Sequence, residues 1–362
     1  MKIALVHEFL NQLGGAEKVL QNFLEIWPEA EIHVILYDKH KTLGEFEKYK
    51  MTTSFLNRIP GTKSHPRLFL LMMPGAIESF KFDDFELVIS DSSSFAKGVK
   101  TDKPHICYMH TPTRFLWTES EYINQQKYPD IFKWFGKRAL PGLKKWDFDA
   151  AQRPDFLIAN SLNVQDRIKK FYNRESVVIP PPVDTEFFHT VGTKQDYFFT
   201  VSRLEPYKKI DVIVEAFNEL GLPLKIAGIG TAMSALKKLA KPNVEFLGRV
   251  PDEELRAHYS QSKAFVFAGE EDAGIALIEA QACGTPVLAF RAGGAKESVI
   301  AGGTGEFFEE QNCQSLVDAL RKFNPGHYDI QAMRANAEKF SKRHFQAKIK
   351  EFVEEKYNHK SS

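Results

Sequence analysis

Lys2-Ile3-Ala4-Leu5-Val6-His7-Glu8-Phe9, followed by Leu13-Gly14-Gly15-Ala16-Glu17, is the stretch whose reading settles the architecture. The first part is an apolar run of strand length. The glycine pair then opens Ala16 to Trp27, where Val19, Leu20, Phe23, Leu24 and Trp27 recur on one helix face until Pro28 ends it. A strand that enters a helix through a short glycine turn is the repeating unit of a parallel sheet covered by helices.

The same unit recurs outward along the chain. Further strands are expected at Glu31 to Tyr37, Glu86 to Ser90, His105 to His110, Phe156 to Ser161 and Ser176 to Pro180. The run Pro180-Pro181-Pro182 donates no ladder hydrogen bonds and closes this first series. A second series has strands at Tyr197 to Ser202, Leu224 to Ala227, Val244 to Leu247, Ala264 to Ala268, Pro286 to Phe290 and Gly305 to Phe308. Its helices lie at Lys209 to Leu220, Ala232 to Ala240, Glu253 to Ser260 and Ala276 to Ala282. The expectation is an α/β protein of two Rossmann-like domains, residues 1–183 and 184–340, with 341–362 a helix that packs back on the first. Such sheets take ligands beyond the carboxyl ends of their strands, so a cleft between the domains is expected to hold the chemistry.

At ~150 residues per domain, 362 residues also suit two domains. Hydrophobic residues at 43% and charged residues at 26% exclude a disordered or collagen-like chain. A net charge of +1 supplies no global field for nucleic acid. Cys107, Cys283 and Cys313 have no Cys-x-x-Cys spacing, which fits a reducing compartment. Polar His7-Glu8 comes too early for a signal peptide, so a cytoplasmic protein is expected.

Four loops carry candidate chemistry. Gly14-Gly15 leaves room for a ligand beside helix N–H groups that favour phosphate, although a plain tight turn would use the same residues. The loop is not Gly-x-Gly-x-x-Gly, which disfavours a dehydrogenase. In Arg203-Leu204-Glu205-Pro206-Tyr207-Lys208, a guanidinium fork and an ammonium can meet one oxyanion, or can simply be solvated. In Gly269 to Ala280, Glu271 lies on the loop and Glu279 inside the helix that follows. A buried Glu279 needs donors, which sugar hydroxyls supply. His110 ends a buried strand and precedes Thr111-Pro112-Thr113-Arg114.

Arg203 with Lys208, Glu271 with Glu279 running into Ala280-Gln281-Ala282-Cys283-Gly284-Thr285-Pro286, and the Gly14-Gly15-Ala16-Glu17 loop together resemble glycosyltransferase family 4 of the GT-B fold. The segments His110 to Trp117 and Val178 to Asp184 further resemble bacterial mannosyltransferases of O-antigen and surface-polysaccharide assembly, of the WbaZ type. The resemblance implies an acceptor-side first domain and a nucleotide-sugar-binding second domain. It implies that Arg203 and Lys208 neutralise the donor diphosphate, approached also by Gly15. Glu271 would hold hydroxyls of the transferred sugar, Glu279 those of the ribose, and His110 would lie beside the reacting sugar. Gly228 and Gly230 would line the cleft, Arg249 and Val250 would meet the nucleobase, and Ala273, Gly274, Ile275 and Ala276 would surround sugar and phosphate. Arg114 is a candidate on the acceptor side. Relatives mostly carry an aromatic at Ala273, proline at Ala276 and Asn-Gly at Pro181-Pro182, so the sugar pocket and hinge differ here.

The implied activity is retaining, metal-independent hexosyl transfer, mannose from GDP-mannose or a sugar from UDP or another nucleotide, to a glycan or polyprenyl-diphosphate-linked acceptor. No metal or other cofactor is expected: Asp147-Phe148-Asp149 has metal-binding spacing but follows a basic aromatic stretch rather than a strand. That stretch, Lys127 to Trp146, holds Lys133, Lys137, Arg138, Lys144 and Lys145 among Tyr128, Phe132, Trp134 and Phe135. It suits either peripheral contact with the anionic inner face of the cell membrane or an ordinary solvated helix pair. A sugar-nucleotide epimerase or a non-catalytic binder would share the donor pocket, and neither would need an acceptor.

Overall fold

The computed structural model describes residues 1–118 and 130–361. They divide into two compact units, Met1–Pro180 with Gln346–Ser362, and Pro181–Phe345. The division falls inside the proline run.

The first unit is built on seven parallel strands: β1 (Ile3–Leu10), β2 (Glu31–Tyr37), β3 (Met51–Thr53), β4 (Leu87–Ser92), β5 (His105–Met109), β6 (Phe156–Ala159) and β7 (Val177–Val178). Their order is β3-β2-β1-β4-β5-β6-β7. Covered on both faces, the central strands read as unbroken apolar runs rather than alternating ones, as in fully buried Ala4, Leu5 and Val6. The helix Gly15–Ile26 buries Val19, Leu20, Phe23 and Leu24, the face its periodicity marks out. At the other end of the chain, the helix Lys342–Ser361 enters this unit at Gln346, whose side-chain amide donates to Asn22 at 3.1 Å and Glu25 at 2.7 Å. Phe352 meets the edge of Phe156 farther along.

The second unit has six parallel strands: β8 (Phe198–Val201), β9 (Leu224–Ala227), β10 (Val244–Gly248), β11 (Phe265–Phe267), β12 (Val287–Phe290) and β13 (Gly305–Phe308). Their order is β10-β9-β8-β11-β12-β13. The helix Ile210–Leu220 buries Ile213, Val214, Ala216 and Phe217 against this sheet's core.

Two strands depart from the sequence reading. β3 is a three-residue edge strand, Met-Thr-Thr, too short and too exposed for a period to show. The expected strand Ser176 to Pro180 shrinks to two residues, because the prolines that follow cannot extend the ladder. No described helix is long and apolar enough to cross a membrane.

Candidate functional site

Each sheet reverses its winding once, between β1 and β4 in the first unit and between β8 and β11 in the second. The loops that diverge at such a point leave a crevice beyond the carboxyl ends of the strands. The candidate residues cluster at both places.

In the second unit, the chain leaves β8 through Arg203 and makes a short 3-10 turn, Pro206–Lys208. Lys209 then takes a left-handed conformation, φ +57°, to start the next helix. Arg203 is exposed and donates to the Tyr207 hydroxyl at 2.9 Å, while the Lys208 ammonium lies 4.9 Å from the centre of the Tyr207 ring. Lys208 is buried and forms an ion pair with Glu271, which follows β11. The two residues thus join across the switch point.

Glycines allow the surrounding loops to approach. At Gly228 the backbone has φ +121°, and a Cβ would lie 1.9 Å from the Ser202 carbonyl oxygen. At Gly230 it would lie 2.3 Å from that of Leu204. The loop after β9 is therefore pressed against the Arg203 loop, and the Gly228 amide donates to the Gly248 carbonyl at 2.6 Å. Beyond Gly248, Arg249 is exposed and Val250 is half-buried. Gly228→Ala is expected to destabilise the protein by several kcal/mol, since it combines left-handed strain of about 1–2 kcal/mol with a backbone clash. Gly221→Ala, at φ +67° with open space around it, carries only the strain and serves as the control. Thermal melts of the two variants measure the difference.

The Glu271 loop is held from its far side by residues that sequence reasoning missed. The Gly294 amide donates to the Glu271 carbonyl at 2.8 Å. A Cβ at Gly293 would sit 2.2 Å from that carbonyl oxygen, and one at Gly294 2.6 Å from the Ala273 carbonyl carbon. A glycine pair two residues beyond β12 was the available signal. Gly274, at φ +69°, starts the helix Ile275–Ala282, with Ile275 and Ala276 half-buried in its first turn. Glu279 is buried there, and the Tyr259 hydroxyl donates to its Oε2 at 3.0 Å. Its donors are thus partly internal. Burial first, and the Glu279 charge second, push the Tyr259 phenol well above its ordinary range, so Tyr259 stays a donor.

In the first unit, Gly14 precedes the helix Gly15–Ile26 with an extended backbone, φ −143°, and its amide donates to Glu17 Oε2 at 2.8 Å. Glu17 is buried. Its Oε1 lies 3.9 Å from Nε2 of His7, on β1. His7 Nδ1 is 2.9 Å from Asp91 Oδ2, on neighbouring β4, and His110 Nε2, just past β5, is 2.5 Å from Asp91 Oδ1. One buried carboxylate therefore holds two imidazoles. Burial alone lowers His7, but hydrogen bonds and charge from Asp91 and Glu17 outweigh it and hold the imidazole at about 10. Burial likewise pulls His110 down and Asp91 drives it above its ordinary value. Asp91 itself is raised by burial and brought below the usual carboxylate range by the charge and hydrogen bond of His110, then by His7. Neither His7 nor Asp91 was singled out from sequence, although a polar residue near the end of a buried apolar strand was a usable signal.

The loop after His110 is fastened by Asp147. This buried carboxylate pairs with Lys97 and accepts from Thr113 at 2.6 Å, Trp117 at 2.7 Å and Tyr172 at 2.6 Å. With both oxygens occupied, Asp147 is a structural anchor and has no lone pairs left for a metal. Arg114, half-buried, begins the one-turn helix Arg114–Trp117. Of the basic aromatic stretch, Lys127 and Tyr128 lie outside the described residues, as do the side chains of Phe132, Lys133, Trp134, Phe135 and Lys137. The rest belongs to a single helix, Asp130–Ala151, that continues through Pro141.

Two family models match this chain: "Glycosyltransferase Family 4" over residues 13–187 and "Glycosyl transferases group 1" over residues 184–340. An uncharacterized glycosyltransferase of Methanocaldococcus jannaschii is 22% identical over 95% of this chain and 94% of that one. A GDP-mannose-dependent alpha-(1-6)-phosphatidylinositol monomannoside mannosyltransferase of Mycolicibacterium smegmatis is 31% identical over 39% of this chain, a stretch that spans 45% of that relative. Among solved structures, the sucrose-phosphate synthase of Thermosynechococcus elongatus superposes with a TM-score of 0.80 at 15% identity, over 99% of this chain and all of that one. Anabaena HepE, in complex with UDP and glucose, superposes with a TM-score of 0.75 at 18% identity, over 98% and 99%. With both halves of the chain accounted for in this way and the two parallel sheets in place, the protein is a glycosyltransferase of the GT-B fold, similar to family 4.

Proposed function

We propose that the protein is a retaining, metal-independent hexosyltransferase that moves mannose from GDP-mannose to a hydroxyl of a glycan or polyprenyl-diphosphate-linked acceptor in cell-surface polysaccharide synthesis. The observation that carries the reading is the Lys208–Glu271 pair at the switch point of the second sheet, with Arg203 exposed beside it. The similarity to a GDP-mannose-dependent enzyme supports the choice of donor.

In this reading Arg203 and Lys208 meet the diphosphate, with Gly15 and Gly274 offering backbone amides. Glu271, already screened by Lys208, accepts from hydroxyls of the sugar. Glu279 accepts from the ribose alongside Tyr259, and Arg249 and Val250 flank the base. His110 lies against the reacting sugar. The bond between C1 and the phosphate oxygen breaks with its electron pair leaving on the diphosphate. The acceptor oxygen bonds to C1 on the face just vacated, and its proton passes to the departing phosphate oxygen, the base at hand there. Charge grows on the diphosphate as it leaves, and fixed cations lower the barrier most where charge grows.

A thermal-shift screen with GDP-, UDP-, ADP- and dTDP-sugars tests the donor. Saturation at ~100 times the dissociation constant adds roughly 2.7 kcal/mol of stability. GDP-mannose is expected to give the largest shift, and a larger one from a UDP-sugar would replace it. Glu279→Gln is expected to weaken binding of the free nucleoside diphosphate in calorimetry. Glu271→Gln spares that binding and lowers transfer. The reverse pattern would exchange their roles.

A further inference from the structure

From Lys48 to Ile77 the chain contains no Asp or Glu, yet it carries Lys48, Lys50, Arg58, Lys63, His65 and Arg67. A 3-10 helix, Pro66–Met72, runs through this segment. Phe69 and Leu70 pack against the core of the first unit, beside Met73, Ala76 and Ile77. Leu68, Leu71 and Met72 point the other way, with exposures of 53%, 60% and 41%. Residues three apart eclipse in a 3-10 helix, so Leu68 and Leu71 fall on one line. Single exposed apolar side chains are ordinary, but three within five residues form a patch that needs an explanation.

The cations stand beside it. Arg58 and Arg67 are exposed and Lys63 is half-exposed, and Arg58 and Lys63 form no ion pair with any described residue. The connecting turns keep them close: the Thr62 hydroxyl donates to the Leu56 and Ile59 carbonyls, and the amides of His65 and Leu68 donate to Gly61 and His65. Two described side chains of the basic aromatic stretch are engaged within the protein. Its Trp146 packs on Phe95 and donates to Glu78, and its Lys144 lies over the Trp117 ring.

We propose that Leu68, Leu71 and Met72, with Arg58, Lys63 and Arg67 from the same carboxylate-free segment, form a docking surface for an anionic lipid bilayer. Charge complementarity selects this occupant. A segment of thirty residues without a carboxylate repels cations and attracts an anionic plane, and the apolar side chains enter the headgroup boundary while the basic ones stay among the phosphates. The surface belongs to the first unit alone, so it does not depend on which donor the second unit takes.

Co-sedimentation of the full chain with large unilamellar vesicles tests the proposal, using phosphatidylcholine with and without 30% phosphatidylglycerol. The wild type is expected to sediment with the anionic vesicles and to be released by ~0.5 M salt, as screening requires. Each basic side chain near an anionic surface contributes about a factor of five, so Arg58→Gln, Lys63→Gln and Arg67→Gln together should weaken partitioning roughly a hundredfold. Leu68→Ser, Leu71→Ser and Met72→Ser together should abolish it, and the charge variant keeps the test open if this one fails to fold. Lys237→Gln with Lys238→Gln, on another surface, should leave binding unchanged. Equal binding to neutral vesicles, full binding by both patch variants, or dimerisation of the wild type that the Leu68 set abolishes would overturn the proposal. None of these outcomes depends on turnover or donor choice, so the proposed activity and the docking surface succeed or fail separately.

Discussion

Lys208→Ala is expected to lower transfer by ~10²–10³-fold, the usual loss when one fixed donor to a developing oxyanion is removed. The effect combines two losses. In the proposed reading the diphosphate loses a buried cation, and Glu271 is left in a partly buried position without its ion-pair partner. An unpaired carboxylate of this kind works against an incoming dianion, so the single variant should also bind the free nucleoside diphosphate more weakly. Removing both partners separates the contributions. Lys208→Ala with Glu271→Gln should recover part of the nucleotide affinity while turnover stays low, because residues in contact are not additive. Arg203→Ala should reduce turnover with little change in melting temperature, since its side chain is exposed and, among the described residues, donates to the Tyr207 hydroxyl alone. Steady-state rates together with calorimetry on the nucleotide check all three. Wild-type turnover in Lys208→Ala would remove the diphosphate assignment.

The contrast between Lys208 and Asp91 shows which parts of such a site can be read in a sequence. Arg203, Lys208 and Glu271 sit on loops and a short 3-10 turn, and Glu279 lies inside an otherwise apolar helix, so each is a charge that stands out against an apolar pattern. The fold was equally visible, because β1 and the helix Gly15–Ile26 have periods long enough to count. Edge strands were not: β3 and β7 are three and two residues long, and what defines them is a neighbour's ladder rather than their own pattern. His7 and Asp91 were hidden for another reason. They lie inside buried strands 84 positions apart, and only the β1–β4 register, which pairs them directly, makes them neighbours. Gly293 and Gly294 likewise acquire their meaning from a carbonyl contributed by a different loop.

Asp91→Asn is expected to have the largest effect in the first unit, on rate and on the pH dependence of stability. Breaking a buried charged network by removing one partner costs about 3–5 kcal/mol, so the variant should melt early. At a temperature where it remains folded, kcat should fall by roughly 10²-fold while the donor KM changes little. Asp91 meets the ring of His110 at Nε2, and if His110 lies beside the reacting sugar as proposed, its misplacement is felt mainly in the transition state. A general loss of packing would not produce the second readout. The folded state holds the His7 proton up to about 10, against 6.5 for a free imidazole, so this contribution is complete below pH 6.5 and is lost as pH rises through 10. Asp91 is depressed instead, so its contribution is present above its ordinary value of 3.8 and is lost as pH falls through the folded value. Urea denaturation across this range should therefore show wild-type stability declining on both sides of a window between about pH 4 and 6.5. In Asp91→Asn the acid limb should flatten because the asparagine no longer titrates, and the alkaline limb should flatten in part, because Glu17 alone is left to hold the proton on His7. Titrations elsewhere in the chain are common to the two proteins and cancel in the difference. Equal slopes between pH 6.5 and 10 would mean that Asp91 does not hold the His7 proton, and the proposal that the same carboxylate fixes the ring of His110 would lose its support.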